Sequence, residues 1–395
     1  MTCMGASRRL TLVLTGAGIG LALWLTSAAR RPVVTTVALL PAGRGGAVAT
    51  GFTPREHVGA KARTLGLAPV TVDARGRVYV LDRRNTLWLA ADAPALQRQA
   101  TLPWSNWARD LCWAPPNVLW VADCSRDARW HRVLRADDSG RLSWALGAPE
   151  AGVVTKPVVP PVPLPAAAEP GDRFAQVEQL RGDGARGVYV LDYVHRVVHL
   201  DESGGVLATM ALDDPALPAR SLGYVPDGQS MAVERDGTVV VLTGVELASP
   251  GRVRALWLLS WKPPQPPRPR RVDLSAAGGA QLSSVLLVGA DGPGRLYFQY
   301  RTARQPAATG TGNWQGPTAV ARCGPDGQAR QVLDLYRQYR SATGVDATDG
   351  SRYRLGDVIH VSPAGEIYVE MASATHYRVD RFTGPWRQPA EGEQP

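Results

Sequence analysis

One feature restricts the fold of this chain more than any other: a short apolar run after a glycine turn, usually with an aromatic residue near its centre, recurs six times. The copies are Gly76-Arg77-Val78-Tyr79-Val80-Leu81-Asp82; Asn117-Val118-Leu119-Trp120-Val121-Ala122-Asp123; Gly187-Val188-Tyr189-Val190-Leu191-Asp192; Gly237-Thr238-Val239-Val240-Val241-Leu242-Thr243; Gly294-Arg295-Leu296-Tyr297-Phe298; and Gly365-Glu366-Ile367-Tyr368-Val369. Runs of this length rich in Val and Tyr and bounded by turn residues read as strands. Another short strand precedes each copy, as in Val70-Thr71-Val72 and Met231-Ala232-Val233, and Asp-x-Gly chemistry supplies the positive φ of the hairpin between them. Two more strands follow, seen in the third unit as Arg196 to Leu200, the turn Asp201-Glu202-Ser203-Gly204, and Val206 to Met210. Four short antiparallel strands repeated six times predict an all-β chain folded as a six-bladed β-propeller. Steps of 41, 69, 51, 57 and 71 residues between equivalent positions place insertions between otherwise similar units.

A propeller must tie its last blade to its first. The sixth unit supplies Val358 to Val361, Glu366 to Met371 and Tyr377 to Phe382, but no fourth strand. Val33 to Leu40, far away at the other end of the chain, has the right length to fill that place. The propeller is therefore expected over residues 33–385, with 386–395 as a polar tail.

Ahead of it, Arg8 and Arg9 are followed by Leu10 to Ala29, twenty residues without a charge. A helix of that length spans about 30 Å, the thickness of a bilayer core. Residues 1–31 therefore read as a transmembrane signal anchor, or as a signal peptide cleaved after Ser27-Ala28-Ala29; the length of the apolar run and the Arg30-Arg31-Pro32 flank favour the anchor. No second apolar run approaches twenty residues, so the expected location is a single-pass cell-membrane protein with an extracytoplasmic domain, the alternative being a secreted or periplasmic one. Gly16 and Gly20 read as helix filler ahead of a helix-pairing motif.

The formal charge of +9 is carried by arginines scattered through turns and strand faces, with no run of five or more, which argues against nucleic acid as a partner. Cys112 and Cys124 are expected on a hairpin turning at Pro115-Pro116, with Ala114 facing Asn117 and Cys112 facing Leu119. That register leaves the two thiols roughly 16 Å apart along the ladder, beyond the about 7 Å between Cα atoms that a disulfide permits. They and Cys323 read as buried strand residues.

Val188-Tyr189-Val190-Leu191-Asp192 followed by His195-Arg196-Val197 and Asp201-Glu202-Ser203-Gly204 resembles an NHL repeat. The exported part as a whole resembles the six-bladed NHL-like and TolB-like propellers, a superfamily that includes SMP-30/gluconolactonase-like enzymes. The likeness is close in the third unit, fair in the first at Asp82 to Leu87 and a matter of pattern elsewhere; the fourth and sixth units put Thr243 and Met371 where the motif has Asp. It gives His195 a structural position in the repeat. His195 and His199 are spaced for a metal only on a helix; on a strand they stand about 13 Å apart. Asp82, Asp123 and Asp192 read as carboxylates that tie the turn after the second strand.

Propellers bind ligands at the mouth of the central channel, where the segments leading into the innermost strands meet those joining second to third strands. The candidates there are Trp104, Trp107, Arg109, Asp110, Gln176, Glu178, Asp357 and His360, with Gln229, Ser283 and Ser284 beside them. Trp104 and Trp107, next to Ser105, Asn106 and Arg109, are placed to stack on a sugar or a peptide, whereas Trp113, Trp120, Trp130 and Trp144 read as inter-blade packing. Oxygen ligands gathered from several blades would suit Ca²⁺, as in the lactonase-like relatives, but their full Glu, Asn, Asp ligand set has no match, so no cofactor is expected. Lys156 to Pro170, Lys262 to Arg271 and Leu335 to Tyr353 are candidate partner-contact segments, the second of them as a stiff basic loop or spacer, and Gly310-Thr311-Gly312-Asn313 has no helix after it to make a phosphate cradle. The expected role is a non-catalytic scaffold that binds a protein, peptide or carbohydrate. The alternative is a metal-dependent lactonase-like hydrolase or lyase with its site at the channel mouth.

Overall fold

The computed structural model describes residues 34–41, 69–82, 85–91, 94–103, 105, 108–124, 131–147, 174, 177–192, 196–212, 230–249, 252–274, 282–302, 319–335, 353–355, 359–373, 376–384 and 386. These form six antiparallel sheets arranged as a ring, which is the six-bladed propeller the repeat predicts. Blade 1 holds β2 (Val70–Val72), β3 (Val78–Leu81), β4 (Thr86–Ala90) and β5 (Gln97–Thr101). Blade 2 holds β6 (Ala108–Ala114), β7 (Val118–Cys124), β8 (His131–Asp137) and β9 (Leu142–Leu146). Blade 3 holds β10 (Val177–Gly182), β11 (Val188–Asp192), β12 (Arg196–Leu200) and β13 (Val206–Ala211). Blade 4 holds β14 (Ser230–Val233), β15 (Val239–Ser249), β16 (Arg252–Trp261) and β17 (Arg268–Asp273). Blade 5 holds β18 (Leu282–Ala290), β19 (Leu296–Thr302), β20 (Ala319–Cys323) and β21 (Ala329–Asp334).

Blade 6 is closed by both ends of the described chain. β22 (Tyr353–Leu355) and β23 (His360–Val361) share the innermost place against β24 (Ile367–Ser373), which pairs with β25 (His376–Phe382). The outermost strand is β1 (Val34–Pro41), running from Val34 opposite Phe382 to Pro41 opposite His376. The strand that the sequence predicts to complete the last blade does so. The hydroxyl of Thr36 donates to the fully buried Asp380 carboxylate at 2.7 Å, fixing that register. The first strand of this blade departs from the expected Val358 to Val361, being split into β22 and β23.

The six recurrent runs are the second strands β3, β7, β11, β15, β19 and β24. Each is sandwiched between neighbouring blades on both faces, so β3, β7 and β11 are buried at every position and read as continuous apolar runs instead of alternating ones. Outermost strands such as β5 and β13 face solvent and are polar or exposed at most positions. β17 corrects the reading of Lys262 to Arg271 as a loop: only Lys262 to Pro267 turn, and Arg268-Pro269-Arg270-Arg271 is strand. Pro269 is tolerated because an edge strand pairs on one side alone. In blade 2 the turn takes three residues, Pro115 to Asn117, so Ala114 faces Val118 and Cys112 faces Trp120, one position from the expected register. Cys112, Cys124 and Cys323 are buried free thiols, as expected.

Packing between blades is aromatic where the sequence is. Tyr79 of blade 1 stacks on Trp113 of blade 2 at 4.5 Å, and within blade 2 Trp120 meets Trp144 edge-on at 5.2 Å. Trp386, at the start of the expected tail, lies against Tyr297 and under the Arg322 guanidinium. The innermost strands leave one edge without a strand partner, and buried N–H groups there need acceptors. Side chains of the preceding blade supply them. Trp113 N–H donates to Thr71 Oγ1 at 3.3 Å, Leu180 N–H to Asp110 at 2.8 Å, Gly182 N–H to Cys112 Sγ at 3.0 Å and Met231 N–H to Gln179 Oε1 at 2.8 Å. Leu287 N–H donates to Ser230 Oγ and Ile359 N–H to Gln299 Oε1, both at 2.8 Å.

Candidate functional site

Antiparallel order gives the ring two unlike faces. First-to-second and third-to-fourth strand hairpins lie on one, the turn face; second-to-third connections and blade-to-blade connections lie on the other, the crossover face. The turn face is built from one repeated device. Asp73 accepts the N–H groups of Arg75 and Arg77, Asp137 those of Ser139 and Arg141, and Asp201 those of Ser203 and Gly205. Serine does the same in blade 6, where Ser362 Oγ accepts Glu366 N–H. The glycine that closes each of these turns has positive φ, and at Gly365 a Cβ would also stand 2.5 Å from the Tyr297 hydroxyl.

Within this crown lies a cavity of about 1260 Å³ walled by all six blades. Its rim carries Arg75 and Arg77, Pro115 and Pro116, Asp138, Gly184, Arg235, Gly292 and Ala364; deeper in are Trp113, Cys112, Arg181 and His360. Three of the four acids of the wall are held by arginines, Asp138 at the rim having no such ion pair among the described residues. Asp73 binds Arg77 at 2.6 Å, Asp291 binds Arg295 at 2.6 Å, Glu234 binds Arg270 at 3.1 Å, and Arg181 of the wall binds Asp110 at 3.0 Å. Among the described residues Arg75 and Arg235 have no such partner, and they come from blades 1 and 4, opposite each other in the ring.

Four of the eight channel-mouth candidates fall on described residues, and Ser283 and Ser284, named beside them, lie on β18. Arg109 and Glu178, near the starts of β6 and β10, meet at 3.7 Å on the crossover side. Asp110, one residue further in, accepts Leu111 N–H, Leu180 N–H and the Arg181 guanidinium, so its carboxylate joins blade 2 to blade 3. Burial raises its pKa, against the pull of Arg181. His360 is separate from these and lies in the cavity wall, its Nε2 3.8 Å from the buried Glu370 carboxylate. Burial, then the positive charge of Arg181 from the opposite blade, pushes the imidazole pKa down to about 3. Trp104, Trp107, Gln176 and Asp357 lie outside the described residues, as do His195, Gln229, Lys156 to Pro170 and Gly310 to Asn313.

The other polar residues singled out from sequence serve the fold. Asp82 accepts Thr86 N–H and the Trp88 indole, Asp192 binds Arg196, and Asp123 binds Arg132, so all three tie the turn after a second strand. His199 stacks on Tyr189 and meets Asp183 at 3.0 Å. No group of three or more His, Cys, Asp or Glu side chains that could hold a metal ion exists among the described residues. Sequence reasoning missed the turn-face wall, Arg75, Arg181 and Arg235 above all. Its signal is an arginine inside the acid-led turn, in Asp73-Ala74-Arg75-Gly76 and Glu234-Arg235-Asp236-Gly237.

No protein-family model matches the chain, and no curated protein is similar to it. Solved structures give distant likenesses. A protein of unknown function from Bacteroides caccae is 14% identical with a TM-score of 0.42, covering 71% of this chain and 85% of that one. A catalytically inactive virginiamycin B lyase from Staphylococcus aureus, with quinupristin, is 10% identical with a TM-score of 0.39, covering 81% and 95%. The WD40 β-propeller domain of Doa1 is 11% identical with a TM-score of 0.40, covering 88% and 96%. At such distances the strand pairing of the chain itself defines its architecture.

Proposed function

We propose that this protein is a membrane-anchored, extracytoplasmic binding domain of the NHL/TolB-like kind, and that its turn-face cavity holds a compact ligand bearing a negative charge. The observation that carries this reading is the pairing pattern of the wall. Asp73, Glu234 and Asp291 are paired with arginines, while Arg75 and Arg235 stand on opposite blades without an acidic partner among the described residues. Guanidinium groups match carboxylates and phosphates in geometry as well as charge. Trp113, Pro115 and Pro116 add apolar surface for the body of such a ligand.

Binding fits the wall better than catalysis. A general base works best with a pKa near the operating pH, and His360, at about 3, is a weak one. Cys112, the thiol of the wall, is pushed up to about 12 by burial and so is protonated.

The test is a thermal-shift screen of the full-length protein in detergent against di- and tricarboxylates, sugar phosphates and short acidic peptides. The expected result is a stabilising hit that disappears in the Arg75→Gln/Arg235→Gln double variant, whose own melting temperature is unchanged. A panel without hits, or hits that survive in the double variant, overturns the reading.

A further inference from the structure

The chain leaves blade 6 on the turn face. β25 ends at Phe382, opposite Ile367, the first residue after the turn that Ser362 and Glu366 close. A little further on, Trp386 packs edge-on against Tyr297 at 5.7 Å, with the Arg322 guanidinium 4.5 Å from its ring. Tyr297 in turn donates its hydroxyl to Asp291, an acid of the cavity wall, at 2.6 Å. Trp386 is therefore an anchor at the seam of blades 5 and 6, joined to the cavity wall through one side chain. Arg235 lies on the first hairpin of blade 4, which adjoins blade 5, and Arg75 on that of blade 1, which adjoins blade 6. Both arginines are exposed. Asp138, the rim acid without an ion pair, comes from blade 2, across the ring from the anchor.

We propose that residues 387–395, which lie outside the described residues, fold back over the turn face and place Glu391 and Glu393 in the cavity mouth between Arg235 and Arg75, so that the chain carries an occupant for its own cavity. The proposal rests on the reading of the cavity as an anion site and adds a ligand class to it: a short peptide with two carboxylates, one residue between them. The segment is Arg387-Gln388-Pro389-Ala390-Glu391-Gly392-Glu393-Gln394-Pro395, so its one cation stands beside the anchor and its acids follow five and seven residues after Trp386. Those steps reach about 17 Å and about 24 Å at full extension. Sheets packed face to face lie about 10 Å apart, so the blade on either side of the anchoring seam is within reach. Gly392 lets the backbone turn between the two acids. Tethering at the anchor holds the carboxylates at an effective concentration on the order of mM, which a free anion has to overcome. Free ligand and tail therefore compete for the same arginines.

Photocrosslinking tests this directly. Full-length protein in detergent, with p-benzoylphenylalanine in place of Gln394, is irradiated and digested, and the crosslinked peptides are identified by mass spectrometry. Crosslinks from position 394 to the hairpin peptides around Arg75 or Arg235 of the same chain are expected, with yields that fall several-fold in Glu391→Gln/Glu393→Gln and in Arg75→Gln/Arg235→Gln. Ion pairs in contact with solvent add little stability, so crosslinking and competition are the readouts, not the melting temperature of the ring. Crosslinks elsewhere on the ring, crosslinks between chains, or yields unchanged in both double variants overturn the proposal. The panel of di- and tricarboxylates, sugar phosphates and acidic peptides is then screened against the parent and Glu391→Gln/Glu393→Gln side by side. Larger thermal shifts in the variant are expected from competition, and equal shifts overturn it. Hits without a cavity crosslink keep the anion site and strike the tail from it; cavity crosslinks without a hit in either protein keep the tail and overturn the reading of a free ligand instead.

Discussion

Asp123→Asn is the substitution from which this fold has most to lose for the smallest change in shape. Asp123 is 0% exposed and Arg132 1%, with Arg132 Nη2 2.7 Å and Nε 2.9 Å from one carboxylate oxygen. The other oxygen is 3.3 Å from the hydroxyl of buried Ser105. Asparagine keeps the volume and removes the charge, taking from the buried Arg132 guanidinium the carboxylate that its Nε and Nη2 both bond. Breaking a buried pair from one side costs about 3–5 kcal/mol, because the remaining ion has lost its water as well as its partner. That corresponds to a fall in melting temperature on the order of 10 °C. Replacing both partners by apolar residues of similar volume, Asp123→Leu with Arg132→Met, removes the desolvation cost together with the attraction and is expected to lie within about 1 kcal/mol of the parent. Urea unfolding followed by tryptophan fluorescence separates the three proteins. A single variant that loses less than about 1 kcal/mol would mean that water reaches the pair and that the burial argument is wrong. A double variant as damaged as the single one would mean that the pair acts through hydrogen bonds no apolar side chain replaces.

Ser230→Ala removes the acceptor for Leu287 N–H between blades 4 and 5, both groups being buried; a loss of about 1–3 kcal/mol is expected, with faster hydrogen exchange in peptides covering β18, and unchanged exchange there would refute the bracing role. The His360 pKa lies near 3 in the folded chain against 6.5 for a free imidazole, so the unfolded chain takes up the proton first. Its contribution to stability is complete above pH 6.5 and is lost as the pH falls toward 3. His360→Asn should therefore flatten the decline in urea midpoint between pH 7 and pH 4.5, and an unaltered slope would show that the imidazole is not desolvated. Burial raises the Cys112 and Cys323 thiols to about 12, so at pH 8 neither should react with maleimide until urea unfolds the ring; labelling of either in the native state by mass spectrometry would contradict their packing.

The second strands were legible because burial on both faces imposes an apolar run, and because Gly76, Gly237, Gly294 and Gly365 all sit at positive φ before it. Closure by β1 was legible as a subtraction, one strand lacking in blade 6 and one to spare after the apolar segment. Where the reading slipped, local chemistry pointed two ways. The prolines of Lys262 to Arg271 suggest a loop, yet an outermost strand needs its N–H groups on one side only. Pro115-Pro116 suggests a two-residue turn, yet Asn117 belongs to it as well, which moves Cys112 from Leu119 to Trp120. The braces Thr71, Cys112, Gln179, Ser230 and Gln299 were not legible, since a single polar side chain on a strand carries no spacing signal until the neighbouring blade supplies its donor.

Asp110 shows why a site is harder to read than a fold in such a ring. From sequence it is a carboxylate at the channel mouth, the type of residue a metal or substrate would recruit. In the structure it holds Leu180 N–H, Leu111 N–H and Arg181, the same task that Thr71, Gln179 and Ser230 perform with neutral groups in other blades. A ring of repeated blades has an edge to satisfy at every innermost strand, and polar residues there answer that need before any ligand arrives. The residues left over are the informative ones. Arg75 and Arg235 do not complete the hydrogen bonding of any described strand, and their turns would close equally well with other side chains at those positions, because the closing bonds are backbone ones, from Gly76 to Asp73 and from Gly237 to Glu234, with both glycines at positive φ. Two arginines that the architecture does not require, on opposite blades at the rim of a cavity where Asp73, Glu234, Asp291 and Arg181 are ion-paired, are what a binding function adds to the fold.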